Sequence, residues 1–367
     1  MATLSTRESA EEKEPVAGEI APRGSSRAPR RLLPVLLFAA GVLLAVVLFR
    51  SVGWPAIAAN LARIGAPKFL FLIALYALTQ GAFALGWWFI IEPRPPASDF
   101  PRLFAIYLAG DSLNYLAPGG VAGEPVKTRL LGKSSGVPAA IASLTIHKHA
   151  DLAAQWAFVA AGVAYAVVRF PMPLAARVVA IVGTAGLGSL LLLLTWGMRR
   201  GTYGPVLRRL TRWKPLAARL DRYHRSAEAI DTRIRAFAGA RRGRYWASVA
   251  VCFLGWCGGM LETYLILRFL SSSAGWGTAL AVEALAMALN NLLLFIPGRV
   301  GSAEGVRAAV FVLLGMPAAA GVAYGLVRRG REISWVLPGL AVLIKEHAIG
   351  LVREGPPDLA TLEESRP

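Results

Sequence analysis

Long uncharged apolar stretches, divided by short charged ones, run through the chain, and their lengths predict its elements. Residues 32–49, closed by Arg50, and residues 69–91, a run of 23 without a charge, are long enough to cross a bilayer as helices, which takes about 20 apolar residues. Trp87 and Trp88 end the second run where an interfacial aromatic belt is expected. Residues 103–117 are too short to cross and end at Pro118, Gly119 and Gly120, which break a helix. A charged return arm follows, so the segment is read as a re-entrant hairpin. Residues 138–168 are apolar apart from His147, Lys148, His149 and Asp151, and residues 178–198 form the next span. The second half repeats this order: a span at 246–269 containing Glu262, a second hairpin at 278–315, and a final span, 317–327 and 333–344, broken around Arg328, Arg329, Arg331 and Glu332. The pattern predicts six crossings and two hairpins.

The chain also matches itself. Residues 114–129 read Asn-Tyr-Leu-Ala-Pro-Gly-Gly-Val-Ala-Gly-Glu-Pro-Val-Lys-Thr-Arg, and residues 291–307 carry a diverged copy. An offset of 179 residues places Pro118 on Pro297, Gly119 on Gly298, Gly136 on Gly315, Pro138 on Pro317 and Trp156 on Trp335. Glu124 meets Glu304, and Lys127 meets Arg307, once one residue is inserted after Val300. Duplicated elements broken within an apolar run mark the substrate site of transporters. The expected fold is an all-α polytopic membrane protein over residues 32–352, with an inverted internal repeat (68–170 and 246–350) and two re-entrant or broken hairpins.

Composition agrees: 55% of residues are hydrophobic, well above the soluble average. The net charge of +18 changes the picture only through its position. Residues 199–244 hold 14 Lys and Arg against Asp221, Glu228 and Asp231. Such a loop stays cytoplasmic and meets anionic headgroups; it offers no nucleic-acid reading module. Leu220, Tyr223, Ile230, Ile234 and Phe237 give it one apolar stripe, the pattern of an amphipathic helix on the inner leaflet or against the spans. The mixed-charge residues 1–31 and the polar residues 353–367 are read as tails. With the basic loop, they place both termini in the cytoplasm and the protein in a plasma (inner) membrane of bacterial type. Cys252 and Cys257, five apart in an apolar run, suit neither a disulfide nor a metal site.

The candidate chemistry lies in the two motif loops. Asn114, Glu124, Lys127 and Arg129 flank the first break, and Arg299, Glu304 and Arg307 the second. Helix N-termini beside basic side chains suit an anion such as a lipid phosphate. Alternatively Glu124 and Lys127, or Glu304 and Arg307, three apart on a helix, simply pair with each other. His147 and Asp151, four apart, share a face and suit a proton-accepting pair; the alternative is an interfacial cluster. Arg328 to Glu332 read as a charged break or a surface turn. There is no P-loop, no nucleophile with its base and no zinc spacing, so a cofactor or metal is not expected and an enzyme is less expected than a transporter.

Residues 114–129, with Gly136-Val-Pro138 and the stretch from Asp151 to Gln155, resemble the flippase-like transmembrane family that includes the membrane region of lysylphosphatidylglycerol synthases. Residues 295–307, Arg328–Glu332 and the stretch from Trp335 to Leu340 are similar to its hopanoid-biosynthesis branch. Two features depart from the family pattern: Pro125 follows Glu124, and the second acid is spaced one residue further on. The resemblance implies translocation of a lipid or lipid-linked headgroup, with a membrane lipid as partner. A membrane-embedded lipid-modifying enzyme and a scaffold for lipid-synthesising enzymes are the alternatives.

Overall fold

The computed structural model describes residues 50, 54–117, 120–211, 223–270, 273–292 and 302–345. The first predicted span, both tails and the tip of the second motif loop, Arg299 included, lie outside these residues. The described residues form eleven α-helices and one short 3-10 turn at Ala97–Asp99. The helices are α1 (Trp54–Trp88), α2 (Phe100–Leu116), α3 (Glu124–Ser135), α4 (Val137–Arg169), α5 (Leu174–Arg200) and α6 (Tyr203–Leu210). The remaining five are α7 (His224–Ala240), α8 (Arg242–Phe269), α9 (Trp276–Leu292), α10 (Ser302–Leu313) and α11 (Ala318–Lys345).

Helix boundaries follow local chemistry. Pro101, Pro125 and Pro138 stand in the first turns of α2, α3 and α4, where a missing N–H costs nothing. Gly136 (φ 81) separates α3 from α4, and its counterpart at the 179-residue offset, Gly315 (φ 76), follows α10 and also has a positive φ. Gly201 (φ 88) stops α5 just after Arg199 and Arg200, which suit the negative end of the helix dipole. Within α1, Gly65 and Pro67 make a kink, so the second predicted span forms the part of α1 beyond that bend.

Helices α1, α4, α5 and α8 are long and apolar enough to cross a membrane. Helix α11 is as long as α8, 28 residues, and runs unbroken through Arg328, Arg329, Arg331 and Glu332. That corrects the reading of a broken final span or a surface turn: each charge finds an opposite charge on a neighbouring helix, so the helix need not break. The hairpin arms α2 and α3 have 17 and 12 residues, or about 25 and 18 Å at 1.5 Å per residue. Helices α9 and α10 have the same two lengths.

Helices of the N-terminal half pack against helices of the C-terminal half. Helix α1 lies against α8, α2 against α11, and α4 against α9. The α1–α8 pair is antiparallel: Arg63 donates to the Leu270 carbonyl at one end, and Arg241 and Arg244 pair with Glu92 at the other. Helix α9 is the central element, with Ala281, Val282, Ala284 and Leu285 buried beside Phe158, Val159, Ile266, Phe311 and Tyr324. A second core joins α1, α2, α3, α4 and α8 through Trp87, Ile106, Leu130, Leu144 and Cys252. Trp87 is fully buried, stacks on His147 and donates its N–H to Ser143; it is a core residue and not part of an aromatic belt. Ile230, Ile234 and Phe237 of α7 pack on Ile90, Ala142 and Ile146, so the predicted stripe docks against the spans.

Candidate functional site

The first motif loop is held shut by its own side chains. Asn114 accepts the Gly123 N–H through Oδ1 (2.7 Å) and donates through Nδ2 to Glu124 Oε1 (2.7 Å). Helix α3 begins against the backbone of Gly110, where a Cβ on Gly123 would collide, so the motif needs glycine there. Glu124 Oε1 also faces two ammonium groups, Lys127 Nζ at 3.5 Å and Lys148 Nζ at 3.3 Å. Lys127 is fully buried, its stem against Gly110 and its ammonium over the Tyr107 ring at 4.5 Å. The alternative Glu124–Lys127 pair therefore exists, as two members of a three-membered cluster. Arg129 lies half-buried on α3, two residues further on.

His147 and Asp151 do not meet. His147 is packed between Trp87 and Tyr107, with its Nδ1 unpartnered among the described residues. Asp151 accepts the Trp256 indole N–H at 3.1 Å. His149 is bound at both ring nitrogens, by Tyr245 (2.8 Å) and Thr195 (2.7 Å).

The second half supplies a larger charged network. Glu304 and Arg307, on α10, do not pair with each other; each reaches α11. Glu304 takes the Arg329 guanidinium in a fork (2.8 and 3.2 Å), and Arg307 approaches Glu332 at 3.4 Å. Arg331 forms a bidentate pair with Glu262 (2.9 and 2.9 Å), both buried, and lies 3.5 Å over the Tyr76 ring. Arg328 is bound to Glu283, which also accepts Thr263 (2.8 Å) and Tyr324 (3.1 Å). Four guanidinium groups thus face four carboxylates in the core. Isolated charges at that depth are costly, and paired ones facing the bundle interior mark functional paths.

The two charged groups meet across a chamber of about 200 Å3. Asp111, Lys148 and Asp151 from the first half and Glu283 and Arg328 from the second line it, with Gln80 and Trp256. Asp111 accepts Gln80 Nε2 at 3.1 Å; among the described residues neither Asp111 nor Asp151 is in an ion pair. Arg329 bonds Tyr115 at 3.0 Å, and Ser112 donates to the Val336 carbonyl at 3.2 Å, so the first hairpin is tied directly to α11.

Of the predicted site residues, Asn114, Glu124 and Lys127 come together beside Lys148 at the chamber's edge, Asp151 lines the chamber, and Glu304 and Arg307 bind Arg329 and Glu332 of α11. Lys148, Asp111, Gln80, Glu283 and Arg328 were not among the predicted contacts. Glu283 could have been found as the sole acid in an otherwise apolar helix, residues 276–292. No three His, Cys, Asp or Glu side chains converge as a metal site among the described residues. A family model described as the lysylphosphatidylglycerol synthase TM region matches residues 32–339. No curated protein and no solved structure matches the chain.

Proposed function

The chain belongs to the family of lysylphosphatidylglycerol synthase transmembrane regions, and from that premise we propose that it translocates a polar or anionic lipid between the leaflets of a plasma membrane. Family membership supports a membrane-lipid role. The observation that carries the finer reading is the chamber where charged side chains from both halves converge among membrane-crossing helices. A headgroup leaving water needs replacement partners at every level of the hydrocarbon. Lys148 and Arg328 offer charge to a phosphate, while Asp111, Gln80 and Asp151 offer hydrogen bonds to hydroxyl or amine groups. Reciprocal packing of α2 on α11 and of α4 on α9 is what a two-fold related pair of repeats requires, the antiparallel α1 and α8 favour the inverted kind, and together they support a site at the interface.

Leaflet exchange tests this directly. Purified protein in liposomes is expected to speed dithionite bleaching of inner-leaflet fluorescent phosphatidylglycerol without altering the lipid. Asp151→Asn, which keeps an acceptor for Trp256 and removes the charge, should slow that exchange several-fold with the melting temperature unchanged. Exchange no faster than in empty liposomes would refute translocation, and a chemically converted headgroup would point to an enzyme instead.

A further inference from the structure

Three cavities lie in series through the bundle. The first is a cleft of about 520 Å3 at the basic end of α5, walled by Ile141 and Leu144 of α4, Leu194 and Met198 of α5, and Thr128 of α3. The second is the polar chamber. The third, about 40 Å3, lies between α1, α2 and α11 beside Tyr115, Glu332 and Trp335, and shares Tyr76, Gln80 and Asp111 with the chamber. Among the described residues, Lys148 is the one side chain that lines both cleft and chamber.

The cleft is a mainly apolar space of ligand size, within the range of about 300–1,000 Å3 usual for small-molecule sites. Its α5 wall continues onto an outer surface where Leu190, Leu192 and Leu193 are exposed, which in a membrane is hydrocarbon. Its inner end is charged, and the charges are not equivalent. Glu124 is neutralised twice, by Lys127, which is buried and fixed, and by Lys148, whose side chain is 42% accessible. Lys148 can therefore leave Glu124 without stranding an unpaired buried carboxylate, the costly outcome of breaking a buried pair. His149, also at the cleft, is held on both nitrogens.

We propose that this cleft is a lateral port for the acyl chain of an anionic phospholipid, and that Lys148 exchanges Glu124 for the lipid phosphate and passes the headgroup into the chamber. The inference rests on the translocation reading and adds the substrate class, the entrance and the residue that selects at it. It also assigns a state to the structure: the third cavity has room for a few waters but no headgroup, so the path is open at the cleft and closed between α2 and α11.

A phosphatidylglycerol carrying a photoreactive diazirine on its acyl chain, crosslinked to the full chain in liposomes and mapped by mass spectrometry, tests the port. Adducts are expected on Leu144, Leu194 or Met198. Lys148→Gln should lower them about tenfold, the loss of one charge-assisted contact, while Lys148→Arg keeps most of them. Leu194→Trp, which narrows the cleft from its accessible α5 wall without touching a charge, should lower those on Met198 as well and decides the matter if Lys148→Gln fails to fold. Adducts spread evenly over Leu190, Leu192 and Leu193, or cleft adducts unchanged in Lys148→Gln and Leu194→Trp, would overturn the port. Leaflet exchange read in the same vesicles separates the two claims. Exchange without cleft adducts sinks the port and leaves translocation standing, whereas cleft adducts without exchange leave the port as a lipid site and sink translocation.

Discussion

Replacing Glu262 by Gln leaves the Arg331 guanidinium, itself 1% exposed, without its bidentate carboxylate. Losing one partner of a buried pair costs about 3–5 kcal/mol in soluble proteins, so Glu262→Gln is expected to lower the melting temperature in detergent sharply. Adding Arg331→Met, which removes the stranded cation and fills its volume, should recover most of the loss. A double mutant no more stable than the single one would show that the pair is not the source of the stability. Lys148 behaves differently on the same physics, because Glu124 keeps Lys127 when Lys148 is gone. Residue-scale legibility in the sequence divides along this line. Glu124 and Lys127 are three residues apart, and their proximity follows from helical spacing alone. Glu262, Glu283 and Asp111 have partners on other helices, Arg331 at 69 residues from Glu262 and Arg328 at 45 from Glu283. An isolated acid in an apolar run announces a cost, but not who offsets it.

At the scale of elements, the basic segment shows what a pattern does and does not determine. Its apolar stripe was readable, and Ile230, Ile234 and Phe237 are buried as that pattern requires. The docking contact was not: Asp231 of α7 accepts the backbone N–H groups of Thr202 (2.9 Å), Tyr203 (3.1 Å) and Gly204 (2.8 Å) at the start of α6. A carboxylate there satisfies N–H groups that a helix start leaves open and complements its dipole. Asp231→Ala should therefore destabilise this segment by about 2–3 kcal/mol, the scale of hydrogen bonds to a charged group. The readout is faster amide exchange in residues 202–210 and 224–237, with exchange in α9 unaffected. Protection unchanged throughout would mean that the apolar stripe alone holds α7. Helix α11 is the opposite case. Five residues with four charges look like a break in sequence, yet the helix continues, because acceptors on α8, α9 and α10 lie opposite each guanidinium.

At the scale of the whole molecule, the self-match at 179 residues was legible in the sequence, and within the described residues it pairs Gly136 with Gly315, both at positive φ. The sense of the repeat is a matter of charge bias and packing. Two copies related by an axis normal to the membrane would run parallel, whereas two related by an axis in its plane run antiparallel. Helix α1 and its counterpart α8 are antiparallel, with Glu92 beside Arg241 and Arg244. If the basic segment faces the cytoplasm, then Ser98, just past the end of α1, lies on the same side as Arg209, and Ser273, just past the end of α8, lies on the other. All three positions are exposed. Single cysteines placed there, in a background with Cys252 and Cys257 replaced by Ala, are expected to react with an impermeant maleimide in two groups. Ser98→Cys and Arg209→Cys should label only in inside-out vesicles, and Ser273→Cys only in intact cells. Labelling of Ser98→Cys and Ser273→Cys from one side would make the repeat parallel. The two hairpins would then enter from the same face, and a chamber built where they converge could no longer serve both leaflets by a reciprocal motion of equivalent halves.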